Sequence, residues 1–303
     1  MDSSRAHEAS RTASRPLTGG ALFALAGACL WGTTGTSQAL LQGDPSPVSV
    51  GALRAMIAAV TLTLLALATR PRAWLAAPRE GRGRWLLAAG VAVAAYQLTF
   101  FAAVARTGVT VGTLVMLATA PAVAGMVGWA MEGLRPGRIW VIATLVSLGG
   151  ATLLVLGAGS SAPLDGMGLA LAIAAGASFA LYSVAGRRAA SAGTDTVVLT
   201  SWIFLAASAV LAWPLLGQDL AFVAEPHNLL VLAWLGFAAT AGAYLLYQKG
   251  MRSIDAATAA TLALAEPLVA NLLAVAVLGE PFTWLMGLGV ALVIGGLGLL
   301  SRA

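Results

Sequence analysis

Apolar residues fall along the chain in runs of about 20, separated by short polar turns, and ten such runs can be traced. Their approximate bounds are Thr18–Leu41, Val48–Thr69, Trp85–Val104, Val109–Met131, Ile139–Gly157, Met167–Gly186, Val197–Leu216 and Leu229–Lys249, then a ninth within Ile254–Pro281 and a tenth over Phe282–Leu300. A run of this length is what an α-helix needs to cross about 30 Å of hydrocarbon. The pattern therefore predicts an all-α integral membrane protein with ten transmembrane helices. The residues before the first run, 1–16, are polar and small and read as a disordered tail. The first run is too long for the h-region of a signal peptide, so it reads as a retained helix.

The pattern repeats. Arg106 and Arg252, Pro121 and Pro267, and the pairs Gly149-Gly150 and Gly295-Gly296 are each 146 residues apart, while Tyr96 and Tyr244, and Glu132 and Glu280, are 148 apart. This divides the chain into a first five-helix unit over 17–157, a Gly/Ser linker over 158–164 and a second five-helix unit over 165–303. Five is odd, so the second copy must enter the membrane upside down relative to the first, the inverted arrangement of secondary transporters around a central cavity. Composition agrees: 59% of residues are hydrophobic, 10% are charged and the mean hydropathy is +0.87, whereas soluble domains carry about a quarter charged residues.

The formal charge of +5 does not signal nucleic acid, because the basic residues sit in the turns between spans. With the N-terminus inside, both tails and the even-numbered turns hold nearly all of them, including Arg70, Arg72, Arg79, Arg82, Arg84, Arg135, Arg138, Arg187, Arg188, Lys249 and Arg252. The other side has only Arg106. This asymmetry predicts cytoplasmic N- and C-termini. Cys29 stands alone, and His7 and His227 lie too far apart to build a metal site. No GxxxxGK[ST] phosphate loop occurs, so ATP is not expected to drive it directly, and no cofactor is expected.

Glu266-Pro267 places a carboxylate and a helix breaker deep in the ninth run. An ionisable group at that depth costs several kcal/mol and points to the transport pathway; alternatively it serves backbone groups freed by the proline, or an ion pair. Arg54, near the start of the second run, admits three readings: a partner for Glu266, a snorkelling cation or a fork for a substrate carboxylate. Tyr244 and Gln248 share a helix face, and Tyr96 and Gln97 occupy the matching region of the first copy, which suits either a pocket or interhelical hydrogen bonding. Met116 and Thr119 precede Pro121 on the fourth run. Trp31, Tyr182 and Trp202 either line the same cavity or anchor span ends at the interface. Pro121 and Pro267 read as matched hinges, Glu132 and Glu280 as caps. The Gly-rich fifth and tenth runs read as scaffold or as a homodimer surface.

Trp31-Gly32, the blocks GVTVGTLVMLATAP and IDAATAATLALAEP, Gly279-Glu280-Pro281 and the Gly-rich last run make the chain resemble the ten-helix, EamA-domain members of the drug/metabolite transporter superfamily. Amino-acid exporters of the YddG type are the nearest in pattern. The resemblance implies a central cavity walled by paired helices of both halves, a small-molecule substrate, and alternating access in a bacterial-type cytoplasmic (inner) membrane. The chain departs from symmetry in one respect: Thr119-Ala120 stands where the second copy has Ala265-Glu266. An exporter of drugs or cationic amines, or a sugar-phosphate antiporter, is the alternative within transporters; phosphate would call for several buried cations, and only Arg54 qualifies. A channel would show charge rings or a carbonyl filter, and a membrane enzyme a nucleophile with its base. Neither signature is present.

Overall fold

The computed structural model describes residues 19–133, 136–159, 165–190 and 193–300. The tail 1–16, most of the linker 158–164, and Arg135 lie outside the described residues, as does the side chain of Glu132. Regular structure in the described residues is helical throughout, with no strand. We number the long helices α1 (Gly19–Ala39), α2 (Pro47–Thr69), α3 (Gly83–Gly108), α4 (Val111–Ala130), α5 (Arg138–Gly157), α6 (Gly166–Ala190), α7 (Thr196–Leu215), α8 (Pro226–Gly250), α9 (Ala256–Leu278) and α10 (Trp284–Leu300). Eight of them, α2 to α9, are long and apolar enough to cross a membrane. Their outer faces carry bare aliphatic side chains such as Leu64, Leu145 and Leu230, 62%, 62% and 74% exposed. In water that would be an aggregation surface; against lipid it is the expected exterior of a multi-pass membrane protein.

Helix limits follow local chemistry. Ser46 accepts a hydrogen bond from Ser49 N and Pro47 opens the first turn of α2. Asp195 caps α7 through Val197 N, and Asp255 caps α9 through Thr258 N and Thr258 Oγ1. α4 and α9 both stop on a glycine in the left-handed region, Gly133 at φ 70° and Gly279 at φ 73°. Between α3 and α4 the chain turns at Gly108 (φ 74°, ψ 165°), a conformation that side chains resist.

The helices pair in a pattern that is preserved when the two halves are exchanged. α1 packs on α8 and α9 of the second half, and α6 packs on α3 and α4 of the first. α2 lies on α7, and α5 on α10. Glycines allow the closest approaches: at Gly150 a Cβ would fall 2.6 Å from Val293 N, and at Gly289 one would fall 2.8 Å from Gly150 O. Gly150 and Gly157 of α5 and Gly289 and Gly296 of α10 thus serve the contact between these two helices, whereas Gly149 and Gly295 meet nothing within 4 Å.

The two ends of the bundle differ in charge. One gathers the α1–α2 and α7–α8 connections, where Ser46 Oγ donates to Gln218 Oε1 and Gln42 N to Asn228 Oδ1. Its one described basic ion pair is Arg106 with Asp165, 3.2 Å. Chiefly the Gly168 N–H, and then Arg106, hold the Asp165 carboxyl below its ordinary range. The opposite end is Arg-rich. There Arg252 donates to Thr196 Oγ1, Arg187 to the Ile254 carbonyl, and Arg70 lies 3.7 Å from Asp195.

Candidate functional site

A cavity of about 690 Å³ enters the bundle from the Arg-poor end, within the roughly 300–1,000 Å³ typical of small-molecule sites. Ala39, Pro47, Ala105, Ala158 and Glu280, all at helix ends, mark its mouth. The second half of α1 and most of α9, from Ala260 to Leu278, form one wall and α3 with α4 the other. Its floor is aromatic: the Trp31 ring centroid lies 5.7 Å from Phe179 and 4.9 Å from Tyr244. Tyr182 and Tyr247 continue the stack below the floor, 6.2 Å apart and almost fully buried. Edge-on and offset ring pairs of this kind add specific geometry to their large buried area.

Besides Glu280 at the mouth, two ionisable side chains face this cavity deeper in, from opposite halves. Arg54 of α2 is 8% exposed, and its Nη2 donates to Gln97 Oε1 at 3.0 Å. That bond fixes the guanidinium without neutralising it. Glu266 of α9 sits where the helix changes character: a single 3-10 turn, Ala263–Ala265, separates Ala256–Leu262 from a second α segment that begins at Glu266. Pro267 occupies the first turn of that segment, where a missing N–H costs little, and the carboxylate sits at the positive end of its dipole. The expected interruption is therefore a change of helix type. Among the described residues, Glu266 makes no ion pair and receives no hydrogen bond. The Arg54–Glu266 pairing left open by the sequence is not formed; Arg54 is held by Gln97.

The Trp31-Gly32 motif has two tasks at this point. Trp31 closes the floor, and Gly32 lets α1 reach the α9 break, since a Cβ there would lie 2.7 Å from the Glu266 carbonyl. Asn271 Nδ2 in turn donates to the Pro267 carbonyl at 2.8 Å. Trp31 Nε1 and Thr34 Oγ1 belong to cavity-lining residues yet have no hydrogen-bond partner.

Of the sequence candidates, Arg54, Tyr96, Gln97, Met116, Tyr244, Glu266 and Pro267 line the one cavity. The remaining five lie elsewhere. Thr119 bonds its own helix through Val115 O and abuts Gly176 of α6. Tyr182 is 1% exposed beneath the floor. Gln248 is a helical turn further from the mouth than Tyr244; sharing a face with it does not bring it into the cavity, because the floor intervenes, and its amide lies against Gly186. Trp202 stacks on Trp74 at 4.5 Å and donates to its carbonyl, so it braces the Arg-rich connection after α2. Pro121 is buried in α4, which remains α-helical through it.

Sequence reasoning passed over Phe100, Phe101, Phe179 and Asn271, which also line the cavity. Phe100 stands four residues after Tyr96, the spacing of one helix face, and this signal was available. Phe179 carries no such mark: a phenylalanine in an apolar run looks the same whether it faces lipid or a cavity.

A bundle of membrane-length helices around a cavity of small-molecule size, with an arginine and a glutamate on its wall, is the architecture of a membrane transporter. Residues 18–156 and 166–302 each match the EamA-like transporter family, and the chain belongs to that family. It is 39% identical over 289 residues to the "Uncharacterized transporter YwfM" of Bacillus subtilis, covering 93% of each chain. It is 28% identical over 254 residues to the "Uncharacterized protein PA1977" of Pseudomonas aeruginosa, covering 84% of this chain and 83% of that one. A solved crystal structure shares the fold with a TM-score of 0.80 at 23% identity, over 94% of this chain and 97% of the other. The protein is thus a multi-pass membrane transporter, and its duplicated family match agrees with the repeat seen in the sequence.

Proposed function

We propose that the protein exports amino acids or similar small zwitterionic metabolites across the cytoplasmic membrane by alternating access. In this reading all ten helices span the bilayer as two inverted five-helix repeats, with both termini and the Arg-rich end in the cytoplasm. The cavity then faces outward. The exchange-symmetric helix pairing and the matched Gly133 and Gly279 caps support the repeat; the charge difference between the two ends supports the orientation.

The observation that carries the substrate reading is the pair Arg54 and Glu266, unpaired with each other on the wall of one cavity with an aromatic floor. A guanidinium suits a carboxylate, the free carboxylate suits an ammonium, and Tyr96, Phe100 and Met116 offer apolar surface to a side chain. Glu266 by itself also suits a cationic amine, which is the second reading, although the fixed charge of Arg54 opposes such a substrate. Arg54 is the one cation lining the cavity among the described residues, too few for a sugar phosphate.

The test is uptake and counterflow in proteoliposomes containing the purified protein, with a panel of amino acids, sugar phosphates and cationic dyes. Saturable uptake and counterflow of zwitterions are expected. Transport confined to dyes would replace the substrate, and single-channel conductance steps would overturn the carrier mechanism.

A further inference from the structure

A second cavity of about 390 Å³ opens at the Arg-rich end, between α4, α5, α6 and α9. It is lined by Ala124, Gly125 and Gly128 of α4, Trp140 of α5, Val184 of α6 and Ala257 of α9, among others. The repeat offset of 146 relates it to the main cavity. It carries Ala124 onto Ala270, Gly125 onto Asn271 and Gly128 onto Ala274, and it carries Gln38 onto Val184. All four counterparts line the main cavity or the second one in the matching place. The α4 and α6 walls of the second space thus correspond to the α9 and α1 walls of the main cavity, while Trp140 and Ala257 map onto Met286 and Val111, which do not line it.

We propose that this second cavity is the inner vestibule of the transport path, shut off from the main cavity by the aromatic plug and latched by Arg187 on the Ile254 carbonyl. The inference rests on the transporter reading above and adds the route and the gate.

The plug is Trp31, Phe179, Tyr182, Tyr244 and Tyr247, with neighbouring ring centroids 4.9 to 6.2 Å apart. It is closely packed yet imperfectly satisfied. The Tyr182 hydroxyl and both ends of the Gln248 amide are buried without a well-formed hydrogen bond, and Tyr247 Oη reaches Ser183 Oγ at only 3.4 Å. Buried polar groups left unmatched favour any state that admits water to them. Parting α6 from the end of α8 would do so, and would join the vestibule to the cavity.

What opposes parting is the latch. Arg187 Nη1, on the last turn of α6, donates to Ile254 O at 2.7 Å, immediately before the Asp255 cap of α9. A charged donor makes this bond stronger than a neutral one. The repeat offset maps Arg187 onto Leu41 and Ile254 onto Gly108. The outer end thus has no cation at the position where the inner end has its latch, and the structure is closed inside and open outside, in keeping with that imbalance.

The test uses the full-length protein in proteoliposomes with Cys29→Ser as background. One reporter cysteine is placed at Val184→Cys, whose side chain is 4% exposed at the back of the vestibule and becomes reachable only when α6 parts, and, separately, one at the outer mouth by Gln38→Cys. The probe is a membrane-impermeant maleimide applied from either face. Arg187→Leu should raise labelling at Val184→Cys from the inner face by about fivefold or more and lower labelling at Gln38→Cys from the outer face, because one two-state equilibrium governs both. Arg187→Lys, which keeps a charged donor, should return both rates toward the parent. Unchanged rates, or rates that rise together, would overturn the latch and the route. Labelling needs no substrate, so reciprocal labelling beside a failed zwitterion panel would sink the substrate reading and leave this inference standing.

Discussion

The helix pairs α3–α4 and α8–α9 occupy equivalent places in the two repeats, yet they are built differently. α3 and α4 meet at the single residue Gly108, and α4 passes Pro121 as continuous helix. α8 and α9 are joined by the turn 251–255; α8 contains a nine-residue π-helical stretch, Trp234–Gly242, and α9 breaks at Ala263–Ala265. Thr240 Oγ1 bonding Leu235 O, five residues back, is the local sign of that widened helix. Irregular helix inside a membrane is tolerated where it is buried in protein or lines a water-filled space, and here it coincides with the half that brings Glu266 to the cavity. The first pair is a smooth wall; the second holds the irregular helix and the carboxylate.

This contrast can be broken at its strongest point by removing charge. Glu266→Gln keeps the shape of the side chain, and substrate counterflow should fall by about tenfold or more, as loss of a charged contact worth roughly 1.5–3 kcal/mol implies. Arg54→Gln should do the same, whereas Thr119→Ala on the smooth pair should change transport less than about twofold. Equal losses in all three would mean that the charges are not special.

Next in size is packing at the α9 break. Gly32→Ala forces a Cβ against the Glu266 carbonyl and should cost roughly 1–3 kcal/mol as overpacking, read as a lower melting temperature in detergent. Its repeat-equivalent on α6 is Ser178, so Ser178→Ala should shift melting little. A neutral Gly32→Ala would show that α1 and α9 can separate freely.

The prolines sharpen the contrast further. Pro267→Ala should slow turnover several-fold, because α-helix could then run through the 3-10 turn, while Pro121→Ala should slow it by less than about twofold. Initial rates of counterflow for the two variants, normalised to protein in the membrane, decide the matter. Equal effects would restore the matched-hinge picture.

The smallest effect lies at the surface. Asp165 is held below its ordinary range in the folded protein, so its contribution is present above the unfolded carboxylate value near 4 and is lost as pH falls through the folded one. Asp165→Asn should lower the melting temperature slightly at neutral pH, and the difference from the parent should vanish in strong acid.

How far the sequence reaches can be seen residue by residue. The second run, expected over Val48–Thr69, is a helix over Pro47–Thr69, and the eighth, expected over Leu229–Lys249, is Pro226–Gly250. Apolar length is a one-dimensional property, and it survives folding. Arg54 and Glu266 were marked because charge inside an apolar run is costly wherever the helices go. The partner of Arg54 is not legible, because Gln97 reaches it only through the relative rotation of α2 and α3. The surroundings of Trp202, read as cavity lining or a span-end anchor, are hidden for the same reason: its partner Trp74 sits on a short helix in a basic connection that periodicity does not describe. Gln248 shows a different limit, in that helical spacing gives the face a residue occupies but not the depth at which a cavity ends.

The size of the main cavity has a further consequence, for solvent. At roughly 30 Å³ per molecule of liquid, about 20 waters fill such a space, and an amino acid displaces only some of them. Any closure of the outer mouth must therefore squeeze out the remainder, so the mouth-open form is the wetter one. Osmolytes too large to enter should act on this transporter as weak ligands for its closed form, at the expense of solvent and without touching a binding residue.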